Sequence, residues 1–159
     1  MKKSIAVSLG HCSEAGIKPE NEDFLGACVP EGRQLESKGI AVAIADGMSG
    51  SDGGKEASQV SVRMFLDDYY GTSETWSVKK AVTKVISALN RWLYSQGQAR
   101  FDSVRGMVTT FSGLVLKSQT VHIFHIGDSR IYRLRKQDLV QLTHDHRVWI
   151  SNDREYLSR

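Results

Sequence analysis

The chain has 159 residues, 40% hydrophobic and 25% charged, and its 21 Lys plus Arg against 18 Asp plus Glu leave a net charge of +3. That length is one ordinary domain, able to bury roughly 70% of its unfolded surface, and the charge is too mild to point to nucleic acid or an anionic membrane. Two distant cysteines, Cys12 and Cys28, and a longest aliphatic run of only Ile40 to Ala45 exclude disulfide mini-proteins, zinc ribbons and membrane-spanning helices, leaving a reduced cytoplasmic protein as the default.

Met1-Lys2-Lys3 opens like a signal peptide, but Ser8, Gly10 and His11 interrupt the apolar run at once. Ile5, Val7 and Leu9 alternate with smaller residues and predict a first strand. Phe24–Val29 and Ile40–Ala45 predict the next two, joined by a polar loop from Pro30 to Lys38. The second of these is apolar at every position, as in a strand covered on both faces. A glycine-rich turn, Asp46 to Gly54, leads into a helix from about Lys55 to Tyr70, closed by Gly71. Val78, Val82, Val85, Leu89 and Trp92 recur at helical spacing, with Ser77 as N-cap and Gly97 past the end. The aromatic residues Trp76, Trp92 and Tyr94 read as packing rather than as a binding stripe. Strand patterns then return at Val108–Leu116, Val121–Ile126, Ile131–Arg135 and Leu139–Leu142, separated by short polar turns as in an antiparallel meander. Strands, two helices, then strands predict an α+β domain.

Acidic residues cluster where these strands meet turns: Glu22-Asp23 before the second strand, Asp46-Gly47 after the third, and Asp128 after Val121–Ile126. Each alone is an ordinary turn or capping carboxylate. Together, without sulfur or clustered imidazole, they suit a hard cation such as Mg2+ or Mn2+. The glycine-rich stretch Gly47–Lys55 fails the Walker pattern, since Ser49 stands where the first glycine belongs and Glu56 follows the lysine. His122 and His125, three apart in a strand, face opposite ways and make poor co-ligands for zinc. Ser49, Ser112 and Ser129 show no His/Asp partnership that would mark a nucleophile.

Five segments in order carry a resemblance: Lys18-Pro19-Glu20-Asn21-Glu22-Asp23, Ala45-Asp46-Gly47-Met48-Ser49-Gly50, Met107-Val108-Thr109-Thr110, Ile126-Gly127-Asp128-Ser129-Arg130-Ile131-Tyr132 and Leu142-Thr143-His144-Asp145-His146. The set resembles the metal-dependent protein serine/threonine phosphatases of the PPM, or type 2C, family in its bacterial form. The resemblance implies a four-layer α-β-β-α sandwich of two antiparallel sheets. It also implies a hydrolase that uses two Mn2+ or Mg2+ ions, with a third and looser ion in some members, to activate water for in-line attack on phosphoserine or phosphothreonine. Asp46 would bridge the two ions, Gly47 would offer its carbonyl, and Glu22 would bind one ion, with Asp23 in contact or one step removed. Asp128 would order the attacking water or hold the looser ion, and Lys18 would bind the substrate phosphate. The motif variants are similar to phosphatase domains fused ahead of a protein kinase domain, which makes such a domain in the full-length chain a candidate partner in signalling.

The chain also departs from the family pattern. Lys18 replaces an arginine, supplying charge without the bidentate fork. Met48 stands where some members carry a histidine, and Val108 replaces a glycine. The family continues into a flap and two later metal-binding aspartates, whereas this chain stops at Arg159, and Asp138, Asp145 and Asp153 stand in the wrong context to replace them. The expectation is a single domain, 1–159, incomplete at its C-terminal end and inactive as it stands. The alternative is a non-catalytic module of the same fold that binds a phosphoprotein or another partner.

Overall fold

Four strands pair in the order in which the chain makes them. The computed structural model describes the backbone of residues 5–101, 106–151 and 154–157, and side chains up to residue 146. Strands β1 (Asp23–Cys28), β2 (Ile40–Asp46), β3 (Phe111–Lys117) and β4 (Thr120–Ile126) form one antiparallel sheet in sequence order. Three helices accompany them: α1 (Gly32–Lys38), α2 (Gly54–Gly71) and α3 (Val78–Phe101). Two hairpins follow, β5 (Tyr132–Arg135) with β6 (Asp138–Gln141), and β7 (Arg147–Ser151) with β8 (Arg154–Leu157). This is the α+β class, with antiparallel sheets, that the sequence predicts. No helix among the described residues is long and apolar enough to cross a membrane.

The core lies between the sheet and the two long helices. Along β2 the alternate residues Ala41, Ala43 and Ala45 are buried, and their small side chains let α2 lie close to the sheet. Phe65 and Tyr69 of α2 fill the space above, with Phe65 edge-on to Phe111 of β3 at 5.0 Å between ring centres. From α3, Val78, Ala81, Val82 and Val85 complete the cluster, and Ser77 caps the helix by accepting the Lys80 amide at 3.2 Å. Full burial of each large apolar side chain contributes about 1.5–3 kcal/mol.

Several expectations are corrected. Residues 5–9 form no strand, and Val7 and Leu9 are exposed. An alternating pattern becomes a strand only beside a partner, and among the described residues none pairs with it. The loop Pro30–Lys38 contains α1, which lacks an apolar stripe and is held instead by tertiary contacts. Buried Lys38 donates to Thr72 Oγ1 at 2.6 Å, and Tyr69 donates its hydroxyl to the Lys38 carbonyl at 2.7 Å. Gly97 lies buried inside α3 rather than past its end, and Tyr94 is exposed rather than packed. The helices cover only one face of β2, and Ile44 on the other is 42% exposed. The hairpin β7–β8 has no counterpart among the predicted elements. Met1 to Lys3 and Asp153 lie outside the described residues.

Candidate active site

An antiparallel meander brings alternate strand ends together. The start of β1, the end of β2, the approach to β3 and the exit from β4 therefore share one end of the sheet. These are the positions of four of the five sequence motifs. Asp23 and Asp46 are register partners at the last rung of the β1–β2 ladder, so two carboxylates stand on neighbouring strands. The Asp46 carboxyl is pushed up to about 6, first by burial and then by the Asp23 charge and a hydrogen bond with that carboxyl; Lys18 opposes the shift and Asp128 adds to it. Paired carboxylates repel when both are ionised, and a cation between them removes that penalty.

Asp46 is fixed on both sides by the chain entering β3. Its amide donates to Thr110 Oγ1 at 3.0 Å, and its carbonyl accepts from the Thr110 amide at 2.8 Å and from Thr109 Oγ1 at 2.9 Å. The predicted strand Val108–Leu116 therefore begins only at Phe111, because Val108 to Thr110 wrap around Asp46 and Met48 instead. The Met48 amide donates to the Val108 carbonyl at 2.9 Å, and Gly47 forms an isolated bridge with Thr109. Gly47 is required by proximity, since a side chain there would run into the Gly54 carbonyl and the Lys55 amide.

The β4 exit carries Asp128 after Gly127, whose φ of +109° lies where L side chains rarely go. Later motif residues hold this turn. Arg130 grips Asp145 through two hydrogen bonds of 2.9 and 2.6 Å, and the His146 amide donates to the Gly127 carbonyl at 2.8 Å. Asp145 is thus engaged in holding the turn.

A cavity of about 170 Å³ opens at this end of the sheet. Lys18, Asp46, Gly47, Ser49, Thr110 and Asp128 are among its lining residues; Glu22 and Asp23 are not. Glu22 is turned toward Ser49, whose hydroxyl donates to Glu22 Oε2 at 2.7 Å and accepts from Lys18 Nζ at 2.8 Å. The Glu22 backbone is fixed separately, because its carbonyl accepts from the Gly47 amide at 3.0 Å and from the Ser58 hydroxyl at 2.5 Å. A larger hollow of about 380 Å³ between α2 and α3, around Asp67, Asp68 and Lys84, contains none of the motif residues.

The oxygen donors here match a hard divalent cation in chemistry: carboxylates, one approachable carbonyl and no sulfur. Among the described residues no group of three or more His, Cys, Asp or Glu closes into a metal cage. Asp46, Gly47 and Asp128 reach the cavity, while Glu22 and Asp23 stand beside it. Sequence reasoning missed Ser49, Ser58 and Thr110, which bind the acidic residues or their backbone. Ser49 had a signal, its place in the Ala45–Gly50 segment, and Thr110 had its place in the Thr-Thr pair; Ser58 had none. Ser112, for which the sequence shows no partner, meets His125 Nδ1 at 2.9 Å, but it is buried on the sheet and outside the cavity lining.

Comparison with known proteins bears on the family and the fold. The family model described as protein phosphatase 2C matches residues 18–158. The chain is 33% identical over 133 residues to the serine/threonine phosphatase stp of Listeria welshimeri, covering 82% of this chain and 50% of that one. Among solved structures, one described as a bacterial serine phosphatase superposes with a TM-score of 0.70 at 24% identity, over 86% of this chain and 54% of that one. The catalytic domain of the serine/threonine protein phosphatase PstP in complex with two manganese ions superposes with a TM-score of 0.59 at 26% identity, over 78% of this chain and 55% of that one. The chain thus spans about half the length of the relatives it matches. With the motifs in order, the sheet end assembled and the family model matched from Lys18 almost to the last residue, the chain belongs to the protein phosphatase 2C family.

Proposed function

We propose that the protein hydrolyses phosphoserine and phosphothreonine in proteins, with Asp46 as the anchor of a two-cation centre. The observation that carries this reading is the Asp23–Asp46 carboxylate pair at the sheet end, whose Asp46 lines one cavity with Gly47, Asp128 and Lys18. Asp46, the Gly47 carbonyl, Glu22, Asp23 and Asp128 are the residues that would hold Mn2+ or Mg2+. When bound, such ions supply an activated water and neutralise phosphate charge. The chain's own residues do the rest. Lys18 offers a positive charge at the cavity mouth for the substrate phosphate. Asp46 at the end of β2 and Asp128 just past β4 line the same cavity. Met48 cannot donate a proton, so water must protonate the departing serine or threonine oxygen. A cytoplasmic setting and a protein kinase domain in the same full-length chain as the opposing activity fit this reading.

Ser49 favours a second reading, a non-catalytic phosphoprotein-binding module, because its hydroxyl ties Glu22 to Lys18 rather than leaving Glu22 turned to the cavity. Phosphate release from a phosphothreonine peptide separates the two. The full-length protein with Mn2+ is expected to turn over, and Asp46→Asn is expected to lower kcat by about a hundredfold or more, as loss of a ligand at a metal centre does. Peptide binding without turnover would establish the module instead. The 159-residue chain alone is expected to bind metal weakly and turn over little.

A further inference from the structure

Both halves of the acidic site meet at one buried side chain. Thr110 is 5% exposed and lies between the β2 end and the β4 exit. Its Oγ1 accepts the Asp46 amide at 3.0 Å and lies 2.9 Å from Ser129 Oγ, one residue beyond Asp128. Its own amide donates to the Asp46 carbonyl at 2.8 Å. Its methyl group fills the place a side chain on Gly127 would occupy, so the turn carrying Asp128 packs directly on it. The neighbouring Thr109 donates its hydroxyl toward the Asp46 carbonyl at 2.9 Å and the Thr110 carbonyl at 3.0 Å.

We propose that Thr110 is the positioning residue that couples Asp46 to Asp128, setting the two carboxylates relative to each other for cation binding. The proposal rests on the metal-centre reading above. It explains why a threonine stands here: the hydroxyl joins the two backbones, and the methyl closes the gap beneath Gly127. Valine would keep the shape and leave the Asp46 amide and the Ser129 hydroxyl without this partner. Serine would keep the hydroxyl and lose only the methyl contact.

The test is Mn2+ affinity of the full-length protein, read from the electron paramagnetic resonance of free Mn2+ and so independent of turnover. Thr110→Val is expected to weaken binding about tenfold or more, the usual cost of losing a group that orients metal ligands. Thr110→Ser is expected to stay within about threefold of the parent, because the hydroxyl link survives. Ser129→Ala removes the other half of the link from a less buried position, so it serves if Thr110→Val fails to fold. It is expected to weaken binding about threefold or more, and combined with Thr110→Val to add less than about twofold, since both changes cut one connection. A purely space-filling Thr110 would reverse the order, with serine harmful and valine neutral, and that would overturn the proposal. So would a folded Thr110→Val, or Ser129→Ala, that binds Mn2+ like the parent while Asp46→Asn does not. Unchanged binding in Asp46→Asn as well would overturn both this proposal and the metal-centre reading.

Discussion

Asp46 sits where two unfavourable conditions meet: it is partly buried, and its rung neighbour on β1 is another aspartate. Its carboxyl is raised from 3.8 to about 6. Between those limits the folded chain holds a proton that the unfolded chain releases, so stability from this group is fully present below the lower value. It is lost as pH rises through the upper one, where the ionised Asp46 faces Asp23. A divalent cation at the pair removes that penalty, but at low pH it must displace the proton. Thermal unfolding with and without Mn2+ should therefore show a larger rise in melting temperature at about pH 7.5 than at about pH 5. Lys18 belongs to the same scale. Its ammonium donates to Ser49 and lies 3.9 Å from Glu22, so charge is present at the cavity without a planar fork. Lys18→Arg is expected to lower KM for a phosphopeptide several-fold with little change in kcat, and Lys18→Ala to raise it, as steady-state kinetics would show.

Elements matter here because the sheet end is only as well placed as the strands behind it. Phe65 of α2 is fully buried and touches both Tyr69 and Phe111, so it ties the helix layer to β3, the strand that Thr110 enters. Phe65→Ala should cost about 3–5 kcal/mol in urea unfolding, with loss of Mn2+ affinity following loss of fold. The same packing explains which elements can be read from sequence. The α3 apolar residues recur at helical spacing and the β2 run is continuous, so both stand out. Helix α1 carries Leu35 alone as an apolar residue and depends on the bonds of its Lys38 to Thr72 and Tyr69, partners remote in sequence. The Ile5–Leu9 pattern does not become a strand because strand formation needs an edge that a local pattern does not contain. Gly97 resembles a terminator, but α3 runs on to Phe101, which packs with Leu89, Leu93 and Met107.

Among the described residues, two long helices lie over a four-stranded sheet, two hairpins follow it, and the motif residues gather at one end of that sheet. Motif order makes the acidic residues legible in the sequence, since Glu22, Asp23, Asp46 and Asp128 each sit at a strand boundary. Their support is not legible there: Ser58 reaches Glu22 across 36 positions and Thr110 reaches Asp46 across 64. Only the folded sheet brings such pairs together, and no local pattern marks them. Whether Asp46 anchors a two-cation site is decided by equilibrium Mn2+ binding to the full-length protein. Two ions per chain are expected, with loss of both high-affinity sites in Asp46→Asn. Unchanged stoichiometry and affinity in that variant would contradict that role.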